Sequence, residues 1–196
     1  IERAMQEEFP DAEPTLRKVE FVGPQVGKKL RNDGILAMIY AIAGILAYVA
    51  FRFNFHFAPG AVLALAHDSV ITIGVFALFG LEFNLTFVAA ILTVIGYSVN
   101  DTIVVYDRIR ENLTRIRSQP IEQVVNSSLN EVLNRTVLTS VTTVLALIGL
   151  LIMGFGEIRD FAIAMTFGVV IGTYSSIYVA STATIYLEHL MKKLRA

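Results

Sequence analysis

Five apolar runs, each about the length that crosses a bilayer, leave this chain few ways to fold. A hydrocarbon core of about 30 Å takes roughly 20 helical residues at a rise of about 1.5 Å each. Residues 34–51, 136–156 and 161–187 hold no Asp, Glu, Lys or Arg, whereas 60–81 holds Asp68 and 83–106 holds Asp101. Charged residues make up 17% of the chain, against about a quarter in soluble domains. The run with Asp101 contains twelve Leu, Ile, Val or Phe residues. Each is worth roughly −0.3 to −0.6 kcal/mol on the insertion scale, which outweighs the roughly +2.5 to +3.5 of one central Asp. No Pro falls inside the runs beyond their first turn, and Pro59 stands where a helix tolerates one. The predicted fold class is an all-α polytopic membrane bundle.

Loop charge orients it. Arg52, Arg108, Arg110, Arg115, Arg117, Lys192, Lys193 and Arg195 fall on one side, and only Arg159 falls in the loops of the other. The first side reads as cytoplasmic, with the C-terminus there and the N-terminal segment outside. Lys28, Lys29 and Arg31 oppose this, but a preceding external domain would cross regardless of their charge. Phe51, Phe53, Phe55 and Phe57 cluster at the cytoplasmic edge, as interfacial aromatics would.

Residues 1–27 read as the tail of an external α+β domain. Residues 1–9 suit an amphipathic helix stopped by Pro10, and 15–22 a strand before the turn signal Gly23-Pro24. The chain begins at Ile1 with no positive n-region, so it reads as a piece of a longer protein. Residues 28–196 form the membrane domain, with 107–135 as its longest cytoplasmic connection. Within it Pro120 can start a helix with Ile121, Val124, Val125, Leu129, Val132 and Leu133 on one face. That helix either lies along the membrane surface or docks a cytosolic partner. The tract from Asp107 and Arg108 to Glu111 suits a solvated helix end.

Several chemistries drop out. The chain has no cysteine, no P-loop, no HExxH helix and no GxSxG elbow, and its net charge of −1 gives no field for nucleic acid. No metal, cofactor or covalent enzyme chemistry is implied. Tyr106-Asp107 resembles the YD element of presenilin-type proteases, but the matching GxGD element is missing, since that stretch reads Ser98-Val99-Asn100-Asp101.

What remains are ionisable groups inside hydrocarbon, which are costly to keep there. Asp101 shares a helix face with Tyr97, Val94 and Val105, with Asn100 and Ser98 nearby, and Arg135 shares one with Thr139, Thr142, Ala146 and Gly149. Desolvation disfavours the Asp101 anion and a close guanidinium favours it, so a changing Asp101–Arg135 distance would take up and release protons. The alternative is a static pair that fixes helix register. Both side chains are expected to avoid lipid, among Tyr97, Asn100, Thr139 or Thr142. Asp68 suits a backbone or hydroxyl partner. His67 is expected to be a packed polar residue and not to form a dyad with it, since helical neighbours point apart.

The motifs resemble those of the SecF family. They run Val19-Glu-Phe-Val-Gly23-Pro24-Gln-Val-Gly27, Ala66-His67-Asp68, Gly96-Tyr-Ser-Val-Asn-Asp101-Thr-Ile-Val-Val-Tyr-Asp107-Arg-Ile-Arg-Glu-Asn112, Leu133-Asn-Arg135-Thr136 and Thr139-Ser-Val-Thr-Thr143, in the family's order. The resemblance implies an RND-type bundle, here with five of six helices. It would pair with SecD in the bacterial inner membrane and use the proton-motive force to help the SecYEG translocon move unfolded preproteins. It places Asp101 and Arg135 on the proton pathway and Asp68 in a His-Asp element of less definite role. The rivals are an RND-type exporter of small molecules or lipids, a passive translocase scaffold, and the protease.

Overall fold

The computed structural model describes residues 24–52, 58–81, 84–116 and 118–195, and nearly all of them are helical. In chain order the helices are α1 (Pro24–Arg52), α2 (Ala58–Phe79), α3 (Leu85–Arg115), α4 (Ile121–Met153), α5 (Glu157–Tyr174), a π-helical segment (Ser175–Ala180) and α6 (Ser181–Arg195). Among the described residues, five stretches are long and apolar enough to cross a membrane, the last running from Glu157 to Met191 through the π segment. The readings of 1–9 as a helix and 15–22 as a strand, and of Phe53, Phe55 and Phe57 as interfacial, lie outside the described residues. Pro24 opens α1 and so does not close a turn, in keeping with the preference of Pro for a helical first turn. Residues 36–196 form one compact unit, which contains the helix bundle.

The connection 107–135 is helix almost throughout, which corrects its reading as a loop carrying a surface-lying helix. At 31 and 33 residues, α3 and α4 are about 46 and 50 Å long, well beyond the hydrocarbon. Their excess turns project together at the end of the bundle that carries Arg52, Arg108, Arg110 and Arg115. Most of the apolar face read as lying on the membrane or docking a partner packs within the chain, because Ile121 and Val125 pack with Ile109 and Tyr106, backed by Leu113, Leu129 and Val132, while Leu133 is exposed. Asn112, fully buried, donates from Nδ2 to Ser128 Oγ at 3.0 Å and to Glu131 Oε2 at 3.2 Å. Glu131 also takes Arg108 and Arg115, Arg108 holds Glu111 at 2.6 Å, and Arg52 holds Asp107 at 3.3 Å. The Asn112 amide, then Arg108 and Arg115, hold the Glu131 carboxyl below the usual carboxylate range.

At the opposite end Gly80 (φ 62°) closes α2, and the Leu81 N–H reaches back to the Phe76 carbonyl at 3.0 Å. Asn84 then caps α3, accepting from the Phe87 N–H at 3.0 Å.

Inside the membrane, α3 is the central element. Phe76 meets Phe87 edge-to-face at 4.6 Å, and Met38, Ile42, Ile45 and Leu46 of α1 pack on the same cluster. Against α5 the approach is closer. A Cβ on Gly168 would lie 2.1 Å from Val94 Cγ2, and one on Gly172 would lie 3.0 Å from Ser98 Cβ. Glycines one turn apart thus let the α5 backbone rest on α3, as small residues do where helices pack in lipid.

Two outcomes are expected. Gly168→Ala destabilises the detergent-solubilised protein by about 1–3 kcal/mol in thermal unfolding, the usual cost of overpacking, and Val94→Ala partly restores it. Gly149→Ala, with open space around its Cβ, is neutral or slightly stabilising, so equal behaviour of the two variants refutes the close contact. In the second test, Glu131 is ionised more readily folded than unfolded. Its contribution is therefore complete above the ordinary Glu value of about 4.3 and fades as pH falls through the lowered folded value. Protection from hydrogen exchange across 107–115 and 121–131, taken relative to the intrinsic rate at each pH, should fall in that acid window, and Glu131→Gln should show the lower protection already at neutral pH.

Candidate functional site

Two sets of contacts fix the antiparallel register of α3 and α4. Tyr97 Oη lies 3.5 Å from Ser140 Oγ and 3.4 Å from Thr143 Oγ1, while four turns further on Asn112 meets Ser128. One turn from Tyr97 toward the basic end comes Asp101, and one turn from Ser140 in the same direction comes Thr136. Asp101 therefore sits level with Thr136, with Arg135 beside that level on α4. Asp101 is 4% exposed, and Arg135 is exposed.

The Asp101 carboxyl is poorly provided for. Its Oδ2 is buried and has no hydrogen-bond partner among the described residues, and the same holds for Thr136 Oγ1. A buried oxygen left unpaired is costly, and more so if charged. No ion pair joins Asp101 to Arg135 among the described residues, and Arg135 adjoins Thr136, the α4 residue level with Asp101. Arg135 lines a cleft of about 340 Å³ with Val104, Asp107, Arg108, Glu111, Glu131 and Val132, which opens toward the basic end. Asp101 is thus an interior acid, and Arg135 stands at the mouth of a polar cleft beside it.

The polar surroundings differ from those expected. Asn100 is exposed, and so are Thr139 and Thr142, whose hydroxyls bond back to carbonyls of their own helix. The side chains that α4 turns inward are Thr136, Ser140 and, in part, Thr143. Ser140 continues to Thr173 of α5 at 2.6 Å, so hydroxyls from three helices meet one turn from Asp101. Every position of the run 139–143 except Val141 carries a hydroxyl. Composition alone could not tell which face points inward.

Asp68 is at the middle of α2 and wholly buried. Ser98 Oγ donates to its Oδ2, and His67 Nδ1 lies 2.9 Å from its Oδ1. The hydroxyl partner agrees with expectation. The imidazole does not, and the reason is reach: the long His67 ring, set against Tyr174 at 6.5 Å between ring centres, leans back to its short neighbour. With both oxygens occupied, Asp68 shares no hydrogen bond with Asp101, so the proton-sharing carboxyl pair of an aspartyl protease is not formed. Asp107 is paired with Arg52, and Tyr106 is buried and donates to the Ala180 carbonyl at 3.2 Å.

The chain matches, over residues 2–190, the family described as protein export membrane protein SecD/SecF, C-terminal. It is 51% identical over 187 residues to protein translocase subunit SecF of Cereibacter sphaeroides, covering 95% of this chain and 57% of that protein. The SecF of Pseudomonas aeruginosa is 46% identical, with 96% and 61% covered. Among solved structures, SecDF in its super-membrane-facing form superposes with a TM-score of 0.83 at 40% identity, over 99% of this chain and 27% of that one. SecDF from Thermus thermophilus, titled a translocon-associated membrane protein, gives 0.81 at 47% identity, over 86% and 23%. The chain spans about three-fifths of the length of these SecF relatives. It belongs to the SecD/SecF family of protein-export membrane proteins.

Proposed function

We propose that this chain is the membrane part of a Sec translocase accessory subunit, a transport protein and not a catalyst of covalent chemistry. In the bacterial inner membrane it pairs with SecD and draws on the proton-motive force to promote movement of unfolded preproteins through SecYEG. The basic end is cytoplasmic. The observation that carries the proton reading is the Asp101 oxygen, buried without a partner beside a cation that faces an open cleft.

In hydrocarbon an isolated carboxylate is disfavoured, so Asp101 holds a proton while Arg135 remains in the cleft. A rearrangement that brings the guanidinium against Asp101 compensates the anion and releases the proton. Alternation between the two arrangements, coupled to different access on the two sides of the membrane, turns a proton gradient into mechanical displacement. The cleft lined by Arg108, Glu111, Glu131 and Arg135 supplies water and charge at the cytoplasmic mouth. Asp107 and Arg108 belong to the walls of that mouth and are not reacting groups.

The test uses the full-length protein assembled with SecD and the translocon in proteoliposomes, with preprotein transport measured with and without an imposed proton gradient. Asp101→Asn should remove the gradient-driven component and leave the remainder. Arg135→Met should do the same, and Arg135→Lys should retain part of it. Gradient-driven transport that survives Asp101→Asn would reduce the chain to a passive scaffold.

A further inference from the structure

The seams between helices in this bundle are not equally fixed. Where α5 meets α3, Gly168 and Gly172 lock against Val94 and Ser98, so neither helix slides past the other without a clash. No such lock joins α4 to α3 among the described residues, since Gly96 of α3 and Gly149 of α4 both have open space around a Cβ. The buried side-chain oxygens without a partner among the described residues are Asp101 Oδ2, Asn112 Oδ1 and Thr136 Oγ1, all on α3 or α4. The polar contacts that cross this seam are also doubled. Tyr97 Oη reaches both Ser140 and Thr143, and Asn112 Nδ2 reaches both Ser128 and Glu131, each time two α4 residues about one turn apart. Glu131 in turn is held by Arg108 and Arg115, which follow one another along α3.

We propose that α4 slides lengthwise along α3, by about one turn toward the basic end, and is the moving rod of the bundle. This goes beyond the proposed function, and it stands on the packing of the seam whether or not Asp101 carries a proton. In the lower register Tyr97 keeps Thr143, Asn112 keeps Glu131, and Glu131 keeps Arg115. Asp101 exchanges the level of Thr136 for that of Ser140, whose hydroxyl can donate to the bare Oδ2 or accept from the protonated acid. A slide the other way would set Val132 against Asp101 and leave the acid worse provided, so the motion has one direction. The apolar part of the seam steps in the same way, with Leu129 taking the place of Val125 beside Ile109.

The contacts given up are cheap to lose. Ser128 and Thr173 each keep a bond to the carbonyl four residues earlier in their own helix, both at 2.7 Å. Arg108 keeps Glu111 at 2.6 Å. Residues 116–120 join the two helices and, extended, reach about 17 Å, ample for a shift of about 5 Å. One-turn ratchets of one packed element past another are a known form of two-state change. Arg135 rides with α4, so the slide also draws it away from the level of Asp101.

Spin-label distances in the full-length protein with SecD in proteoliposomes read the slide directly, and residues 1–196 hold no cysteine to compete with introduced ones. Labels on the exposed residues Leu85 and Asn130 sit near opposite ends of α3 and α4, so a slide lengthens their separation by about 5 Å. Labels at Leu85 and Tyr178 span the locked α3–α5 seam and should keep one distance. Wild type should show two Leu85–Asn130 distances. Arg108→Gln removes the upper hold on Glu131 and should enrich the longer one, whereas Arg115→Gln removes the lower hold and should enrich the shorter. Ser128→Ala should act in the same direction as Arg108→Gln. A single distance, unchanged in both arginine variants and in Arg108→Gln combined with Ser128→Ala, overturns the slide. So does a shift in the same direction for both arginine variants, or a Leu85–Tyr178 distance that changes in step. These distances are independent of the transport assay on Asp101→Asn, so a fixed register would sink the slide and spare the proton reading, and the converse holds.

Discussion

Hydrocarbon offers no hydrogen-bond partners, so every polar group placed inside this bundle must find one in its own backbone or on another helix. Most comply locally. Thr72, Thr93, Thr166 and Thr173 each donate to the carbonyl four residues earlier, at 2.7 Å. That solution is open to a hydroxyl and closed to a carboxylate, which only accepts. The two acids of the spans therefore depend wholly on neighbouring side chains, and the bundle treats them differently. Asp68 has a hydrogen-bond partner at each oxygen, whereas Asp101 retains a bare one. The two buried acids of the bundle are thus provided for unequally.

Close backbone contact joins these acids to the neighbouring helices. A carboxyl changing charge in a loosely packed bundle would be met by local side-chain adjustment. Here α3 is wedged between α2 and α5, with Gly172 against Ser98 and Gly168 against Val94. The residue that touches Asp68 is thus also the residue on which a neighbouring helix rests. Packed interfaces of this kind are bistable and not smoothly deformable, so a small electrostatic change can displace a whole helix.

The spans are legible in the sequence because their length and lack of charge allow no other solvent. The segment 107–135 is misleading for an equally physical reason. Charge along Arg108, Arg110, Glu111 and Arg115 reads as the end of a membrane helix, yet nothing there stops the helix itself. The apolar stripe from Ile121 to Val132 is plain in the sequence and reads as a surface for the membrane or for a partner, because a single sequence cannot reveal that α3 extends far enough to cover it. The same blindness governs the face of α4. Hydroxyls at Thr139, Ser140, Thr142 and Thr143 surround the helix, and only the contact of Tyr97 with Ser140 tells which ones point inward. For His67, the rule that neighbours point apart describes Cβ directions, and a long ring can defeat it.

The π segment arises from a spacing present in the sequence. Gly168, Gly172, Ser176, Ala180 and Thr184 recur every four residues, and all are buried. On an ideal helix a step of four overshoots one turn by about 40°, so four steps carry the stripe roughly 160° around the axis. Thr184 would then face away from the helices on which Gly168 rests. A wider turn between Ser175 and Ala180 takes up much of that drift and keeps the stripe on the interior side. It also shifts the hydrogen-bond pattern at the point where Tyr106 reaches in. Tyr106 and Thr184 both donate to the Ala180 carbonyl, at 3.2 and 2.9 Å. A regular helix here would have to choose between packing on α3 at Gly168 and meeting Tyr106 at Ala180, and the distortion lets one continuous span do both.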